Sequence, residues 1–503
     1  MEIKTKKGKI EQEKAEVVVL RHFEGKNISE EDDIKKIDQI LGGMISDIIK
    51  DNEFTGVLNQ SIMLHVKGKM PAKRVLLVGL GKKEEFNSDR LRQAMGRACS
   101  HIRELGIKSL STSVSETDRK NYSVEDAAQV MVEGGLLGLY RFDKYKSDKD
   151  SDKKEIKEWT FVESSEKKIG SVRRGIDRGT ILAEGTNFAR DLGNHPSNVV
   201  TPERLVGIAK EMAKEVGIKC KILDRARMER LGMGALLGVA KGSMEPPMFI
   251  ILEYNGMKKK DAPVVLAGKS ITFDSGGISL KPSDKMEQMK DDMSGGAVVL
   301  GAMKIAAQLK LPVNLVGLLP ATENMPGGNA IKPGDVLKTM SGKTIEVINT
   351  DAEGRMILSD ALCYADDYKP AAVIDIATLT TACVIALGNG VIGAMGNDDR
   401  LIAMLKKAGD ITGEKLWELP LVEEYNEQIK SDIADVKNVG GRAGGSITAA
   451  LFLSKFADNY PWVHLDIAGT SWNEKKKPYI PKGATGIGVR LLVRFLSDYC
   501  KGN

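Results

Sequence analysis

The sequence predicts an α/β fold, with a small N-terminal α/β domain and a larger C-terminal α/β domain on a mostly parallel, helix-covered sheet. Three observations carry this. The chain has 503 residues, beyond the ~250–300 at which a single core stops growing, so two domains are expected. Its 42% hydrophobic and 28% charged residues are the composition of an ordinary globular protein. The C-terminal part alternates near-continuous apolar strands with helical patterns, the signature of strands buried on both faces.

Residues 1–140 alternate short β-branched strands (AEVVVL, RVLLVGL) with helical patterns such as SDRLRQAMGRACSHIREL. The charged stretch 143–169 holds one candidate edge strand, EWTFVES, and otherwise marks a boundary. A helical pattern from about Ser171 to Leu192 follows. Pro196 and Pro202 end it, and Thr201–Pro202–Glu203 starts the next helix. The expected division is therefore an N-terminal domain over 1–165, a linking helix over 166–193 and a C-terminal domain over 194–503. Within the last, FIILEY, PVVLAGK, VNLVGLLP, TIEVIN, AAVIDIAT and WVHLDIAG read as strands, and SGGAVVLGAMKIAAQLK and RMILSDALCYADDYK as helices. Function is expected in the crevice beyond the carboxyl ends of the parallel strands.

Bulk chemistry narrows the classes. A net charge of +5 from 74 basic and 69 acidic side chains is too balanced to argue for a nucleic-acid partner. The lysine runs at 258–260 and 475–477 read as solvated faces. Five scattered cysteines (Cys99, Cys220, Cys363, Cys383, Cys500) without a C-x-x-C pair fit free thiols in a reducing compartment. The N-terminus has only a short apolar stretch and is no signal peptide. The nearest approach to a membrane span, Ala371–Gly396, is interrupted by Asp375, Asn389 and several glycines. The expectation is a soluble, cytoplasmic protein with no membrane partner.

Acidic residues then collect at two places. GKSITFDSGGISLKPSDKMEQMKDDMSGG carries Lys269, Asp274, Lys281, Asp291 and Asp292, and NTDAEGR carries Asp351, Glu353 and Arg355. Taken alone, Thr350 and Glu353 fit a capping box for the following helix. Both sets, however, follow strands and fall on one edge of the expected sheet. Carboxylates converging in a low-dielectric crevice repel one another, and some stay protonated unless positive charge intervenes. With Asp274, Asp292, Asp351 and Glu353 as ligands, four negative charges balance two divalent ions. Lys281 and Arg355 remain for a developing oxyanion or a small bound anion. Two metals ~3.5–4 Å apart form the standard clamp for hydrolysis. Oxygen-rich ligation without histidine leans towards Mn²⁺ or Mg²⁺ and leaves zinc open.

Competing chemistries fit less well. AGKS at 267–270 lacks the glycine a phosphate-binding loop needs at 263, where Pro263 stands. There is no H-E-x-x-H, and the five histidines are scattered; His195, beside Pro196, reads as structural. FDSGG is no nucleophile elbow, so Ser275 is a poor nucleophile. Met286, Met289 and Met293 recur at helical spacing; core packing is the default, lining of an apolar pocket the alternative.

The stretches NTDAEGR (349–355), GKSITFDSGGISLK (268–281), MKDDMSGG (289–296), ENMPGGNAIKPGDV (323–336), SDIADVKNVGG (431–441) and HLDIAGTSW (464–472) closely resemble the leucyl (cytosol) aminopeptidase family. The resemblance covers the chain from about residue 190 with its motifs in order, and more loosely the N-terminal part through YRFDKYKS (140–147). It implies a metallo-aminopeptidase that hydrolyses unblocked N-terminal residues, leucine among them, from peptides in intracellular turnover. By motif, one ion would be held by Asp274, Asp351 (also through its main-chain carbonyl) and Glu353, and the other by Lys269, Asp274, Asp292 and Glu353, with Mn²⁺ or Zn²⁺ as the metal. Lys281 would stabilise the oxyanion, and Arg355 would hold a bicarbonate acting as general base. Asp291 matches a non-ligand position. Thr381, in ATLTTA, stands where the family usually has glycine, near its first side-chain pocket, which leaves the preferred N-terminal residue open. The resemblance also implies a homohexamer whose interior admits peptides. An additional DNA-binding or regulatory role is the alternative, and the charge balance argues against it as the main one.

Overall fold

The computed structural model describes residues 1–25, 28, 32–115, 118, 122–147, 154–257 and 261–502. The lysine run 258–260 and residues 148–153 of the charged stretch lie outside the described residues. The chain forms two compact units, Met1–Glu184 with Lys475–Pro481, and Gly185–Glu474 with Lys482–Asn503. The division falls inside one long helix, Glu166–Asn194.

The first unit is built on strands β1 (Glu2–Lys7), β2 (Val17–His22), β3 (Ser61–His65), β4 (Arg74–Gly79), β5 (Ser109–Ser113) and β6 (Glu158–Glu163), in the order β1-β6-β5-β2-β4-β3. Every neighbouring pair is parallel except β3 with β4. The β-branched run of β2 is buried at all six positions. Helices Ser88–Glu104 and Val124–Gly138 start at side-chain caps, Asn87 accepting from the Arg90 N–H and Ser123 from the Asp126 N–H. They approach closely because Gly134 has no Cβ; one there would lie 2.2 Å from the Arg92 carbonyl oxygen. EWTFVES, expected as an edge strand, is interior instead. It is β6, flanked by β1 and β5, and its alternate residues Trp159 and Phe161 are buried in the core. The charged residues around it obscured a pattern that is locally apolar.

The second unit holds a nine-stranded sheet of β7 (Lys219–Leu223), β8 (Met248–Asn255), β9 (Val264–Gly268), β10 (Ser270–Asp274), β11 (Asn314–Asn324), β14 (Ala372–Ala377), β15 (Ile392–Gly396), β16 (Leu416–Glu418) and β18 (Trp462–Asp466). Its order is β16-β15-β18-β14-β9-β11-β8-β7, with β10 beside β11. The centre, β18-β14-β9-β11, is parallel, and antiparallel pairings appear toward the margins. Strands β9, β14 and β18 are buried at every position, as continuous apolar runs require when helices cover both faces. Val265, Ala267, Val373, Ala377 and Trp462 share a core with the helices Glu353–Asp366 and Gly445–Ser454. The opposite face meets the helix Ser294–Gln308: a Cβ on Gly317 would touch Val299 and Met303, while its neighbours Val316 and Leu318 point to the first face.

The strand expected from TIEVIN departs from the reading. Thr344–Glu346 (β13) pairs with Val336–Lys338 (β12) and Val436–Lys437 (β17) in a separate three-stranded sheet. Asp351 and Glu353 therefore reach the crevice from outside the main sheet. The predicted helix starting near Thr201 is Pro202–Val216, with Thr201 accepting from the Arg204 N–H. No helix among the described residues is long and apolar enough to cross a membrane.

Candidate metal centre and active-site cleft

Lys269 sits where β9 ends, pinned by its own backbone. Its N–H donates to the Ile376 carbonyl at 3.1 Å, and its carbonyl accepts from the Gly296 N–H at 2.8 Å. Helix Ser294–Gln308 can begin this close only because its first turn is glycine. A Cβ on Gly295 would lie 2.1 Å from the Ile376 carbonyl oxygen, and one on Gly268 would lie 2.6 Å from the Gly295 oxygen. The lysine side chain then runs inward, and its ammonium lies 2.7 Å from Asp292 Oδ2 and 2.9 Å from Glu353 Oε1. It also donates to the Thr378 carbonyl at 3.0 Å.

Asp274 ends β10, beyond a register irregularity between Ile271 and Asp274. Its Oδ1 accepts from the Gly276 N–H and from Asn324 Nδ2, each at 2.9 Å. The two glycines after Ser275 adopt φ of +88° and +69°, the left-handed region. This tight turn brings Lys281 back over the acids, 2.9 Å from Asp274 Oδ2 and 2.5 Å from Asp351 Oδ1. Ser275 is buried and donates to the Asn324 carbonyl at 2.7 Å, which fits its exclusion as a nucleophile.

The expected capping box is absent. The helix Glu353–Asp366 has Ala352 at its N-cap, and no side chain caps it. Thr350 instead donates to the Gly276 carbonyl at 2.6 Å and accepts from the Ser279 N–H at 2.8 Å, tying the two acidic loops together. Freed from capping, Glu353 turns into the crevice and is 1% exposed. Local spacing favoured the box; tertiary contacts between the loops outweigh it. Oxygens of Asp274, Asp351 and Glu353 lie within 4.8 Å of one another. Asp292 joins them across the Lys269 ammonium, its Oδ1 accepting from Thr378 Oγ1 at 2.7 Å.

The electrostatics are those of carboxylates crowded out of water. Burial and the neighbouring Glu353 raise the Asp274 pKa, and Lys281 and Lys269 oppose this. Asp292 is raised well above the carboxylate range by burial, with Lys269 opposing and Asp274 and Glu353 adding to the push. Burial takes Asp351 to about 6, aided by Asp274. Glu353 goes the other way: burial would raise it, but Lys269 and Lys281 outweigh that and hold it ionised. Burial would lower both lysines, yet the surrounding acids raise both above the usual range. Two ammonium groups thus stand among four acids, where a cation is most favoured. Asp292 Oδ2 and Asp351 Oδ1 are buried, each against one of these ammonium groups. Buried, converging carboxylate oxygens of this kind fit divalent cations.

Arg355 is buried two residues beyond Glu353. Its Nη1 donates to the Asn438 carbonyl at 2.8 Å, and its Nε has no partner. Burial lowers its pKa to about 10, with Glu353 and Asp466 opposing, so it remains a cation with an unused donor. Asp291, buried and raised to about 7 by burial against its hydrogen bonds to Ser294 and Ser471, accepts from Ser294 Oγ at 2.6 Å. Lys269, Asp274, Lys281, Asp291, Asp292, Asp351 and Arg355 line a cleft of about 790 Å³ whose wall includes Met289, Thr378, Thr381 and Ala468. Met293 is buried, whereas Met289 faces this cleft, so the methionine stripe divides between core and pocket. His195 is not among the lining residues.

Three residues escaped the sequence reading. Asn324 Nδ2 joins the two acidic loops, donating to Asp274 Oδ1, the Thr350 carbonyl at 3.0 Å and Glu353 Oε2 at 3.2 Å. Thr378 holds both Lys269 and Asp292. Asn438, wholly buried, accepts from the Ile348 N–H at 2.8 Å and receives Arg355. The available signal was position: Asn324 ends a buried parallel strand, and Thr378 directly follows one.

Comparisons with known proteins place the whole chain in one family. Residues 187–493 match the model of the cytosol aminopeptidase family, catalytic domain, and residues 17–149 that of its N-terminal domain. A "probable cytosol aminopeptidase" of Geotalea uraniireducens is 53% identical over 462 residues, 92% of each chain. Another, of Nitrosococcus oceani, is 44% identical over 490 residues, 97% of each. Among solved structures, a mutant of tomato leucine aminopeptidase superposes with a TM-score of 0.87 at 32% identity, covering 99% of this chain and 96% of its own. The bottromycin maturation enzyme BotP in complex with Mn gives 0.84 at 34% identity, covering 97% and 100%.

Proposed function

Because this chain belongs to the cytosol aminopeptidase family, and is a peptidase of the metallo-aminopeptidase type, we propose that it releases unblocked N-terminal residues from peptides at the cleft around Asp274, Asp351 and Glu353. The observation that carries the reading is the convergence of their oxygens within 4.8 Å, beside the Lys269–Asp292 contact of 2.7 Å.

Asp274, Asp351 and Glu353 would hold one divalent ion, and Lys269, Asp274, Asp292 and Glu353 the other. Mn²⁺ or Zn²⁺ suits these donors. An amine ligates only when neutral, so Lys269 must give up the proton that the acids otherwise hold on it. When bound, such a pair supplies Lewis acidity to the scissile carbonyl and lowers the pKa of the attacking water. The remaining work falls to side chains. Lys281, tethered between Asp274 and Asp351, is placed to meet the negative charge that grows on the carbonyl oxygen during attack. Arg355, with a spare buried N–H, fits a small anion. By family resemblance this is a bicarbonate, which would take the water's proton so that it can pass to the leaving amine. Attack forms the new C–O bond, and collapse breaks the C–N bond.

By the same resemblance we assign the chain to peptide turnover in the cytoplasm as a homohexamer, with the domain over 1–165 serving assembly or regulation. The test is hydrolysis of leucine p-nitroanilide and an amino-acid amide panel, with metal analysis, before and after exhaustive chelation and on return of Mn²⁺, Zn²⁺ or Co²⁺. Activity should vanish with the metal and return with it. Undiminished cleavage by the metal-free protein would end the reading.

A further inference from the structure

Five cationic side chains line the cleft, and four have an occupation. Lys269 lies between Asp292 and Glu353, Lys281 between Asp274 and Asp351, and Lys285 is 3.1 Å from Glu474. Arg355 donates to the Asn438 carbonyl. The fifth, Arg442, is exposed and, among the described residues, has no carboxylate or carbonyl partner. A guanidinium is weakly hydrated and forked to match a carboxylate, so one left free inside a substrate cleft is suited to an anionic group of the ligand.

Its placement limits which group that is. Arg442 sits in the loop GGRAGG (440–445), four residues beyond Asn438, whose carbonyl receives Arg355. At ~3.3–3.6 Å per residue the backbone at 442 is no more than ~14 Å from that point. The loop is anchored on both sides of the arginine. The Gly441 N–H donates to Gln428 Oε1 at 3.0 Å, and Gly444 turns at φ +67° against the Tyr425 ring. The aminopeptidase reading puts the substrate's N-terminal residue beside the acids at the buried end of the cleft, so the exposed end receives the rest of the peptide. Two or three extended residues span ~7–11 Å, a length within that ~14 Å bound, and Arg442 lines the same cleft as the acids.

We propose that Arg442 is a specificity-determining residue that binds the C-terminal carboxylate of short peptides, making free-acid di- and tripeptides the preferred substrate class. The proposal rests on the aminopeptidase reading above and adds to it the far end of the substrate.

The experiment compares kcat/KM for Leu-Gly and its C-terminal amide, for Leu-Gly-Gly and its amide, and for a longer pair, at low and high salt. The wild type, Arg442→Ala, Arg442→Lys and Arg442→Glu are measured in the metal-loaded form. The wild type should prefer the short free acid over its amide by about fivefold or more, mainly through KM, and salt should reduce the preference. Arg442→Ala should bring the ratio to about one, Arg442→Lys should retain part of it, and Arg442→Glu should invert it. The longer pair should show no preference. An acid-to-amide ratio equal in all four proteins overturns the proposal, as does an Arg442-dependent preference for acidic side chains in its place. Cleavage of none of the substrates by the wild type would instead overturn the aminopeptidase reading itself.

Discussion

At the scale of single residues, the site separates groups that gather charge from groups that answer it. Glu353 is buried and held ionised by two lysines, so removing its charge takes away one of the two carboxylates against Lys269 and breaks the proposed cage. Glu353→Ala and Asp274→Ala should abolish turnover of leucine p-nitroanilide and reduce bound metal, read by metal analysis on the same samples. Lys281 faces the acids from the rim and is 21% exposed. Lys281→Ala should therefore lower kcat by about 10²–10³ with metal stoichiometry unchanged, because its proposed part is played only as charge develops. Metal loss in step with rate would show that this role is misassigned.

Elements set these side chains through contacts that allow no extra atom. The helix Ser294–Gln308 meets β9 and β14 through Gly295, where a methyl group would lie 2.1 Å from backbone oxygen and 2.9 Å from the Lys269 nitrogen. Gly295→Ala should cost about 1–3 kcal/mol in urea unfolding, the usual penalty for overpacking, and should lower activity by displacing Lys269. Activity at the wild-type level would show that the helix can retreat without moving the lysine. Strands β14 and β18 add a buried pair, with His464 Nδ1 2.6 Å from Asp375 Oδ1 and Trp462 Nε1 donating to Asp375 Oδ2 at 2.7 Å. Burial would lower the His464 pKa, but the charge and hydrogen bond of Asp375 raise it overall. A raised histidine pKa means that the folded state holds a proton the unfolded chain releases. The resulting stability is full below the unfolded value of ~6.5 and is lost as pH rises through the folded one. Wild-type denaturation midpoints should thus fall with rising pH above ~6.5, and His464→Gln should lack that component. Parallel pH profiles for the two proteins would refute it.

For the whole molecule, the acidic cluster joins segments far apart in sequence: 269–292 and 351–355 meet through Asn324, Thr350 and the shared acids. Ions that bind only this folded arrangement should stabilise it by mass action. At a free concentration 100 times Kd the gain is about 2.7 kcal/mol per site. Thermal unfolding should therefore shift upward with added Mn²⁺ or Zn²⁺ and downward on chelation. An apparent Tm unmoved by either, in protein shown to bind metal, would mean that the unfolded chain binds it equally well.

The sequence by itself determined the fold class, the strands at the centre of the parallel sheet and which acids gather in one place, because buried strands and convergent carboxylates need particular residue types in order. Continuous apolar runs located β9, β11, β14 and β18, and Asp274, Asp351 and Glu353 stood out as charges at strand ends. Only the tertiary structure decided how those charges are shared. Thr350 bonds across to the other loop instead of capping its own helix, Thr344–Glu346 leaves the main sheet for a small one, and β6 lies inside the first unit's sheet. It also drew in Asn324, Thr378 and Asn438, uncharged residues with no local motif. The physical reason is that capping and strand pairing are chosen among competing hydrogen bonds of similar strength. Burial against distant segments selects between them, and that choice is invisible along the chain.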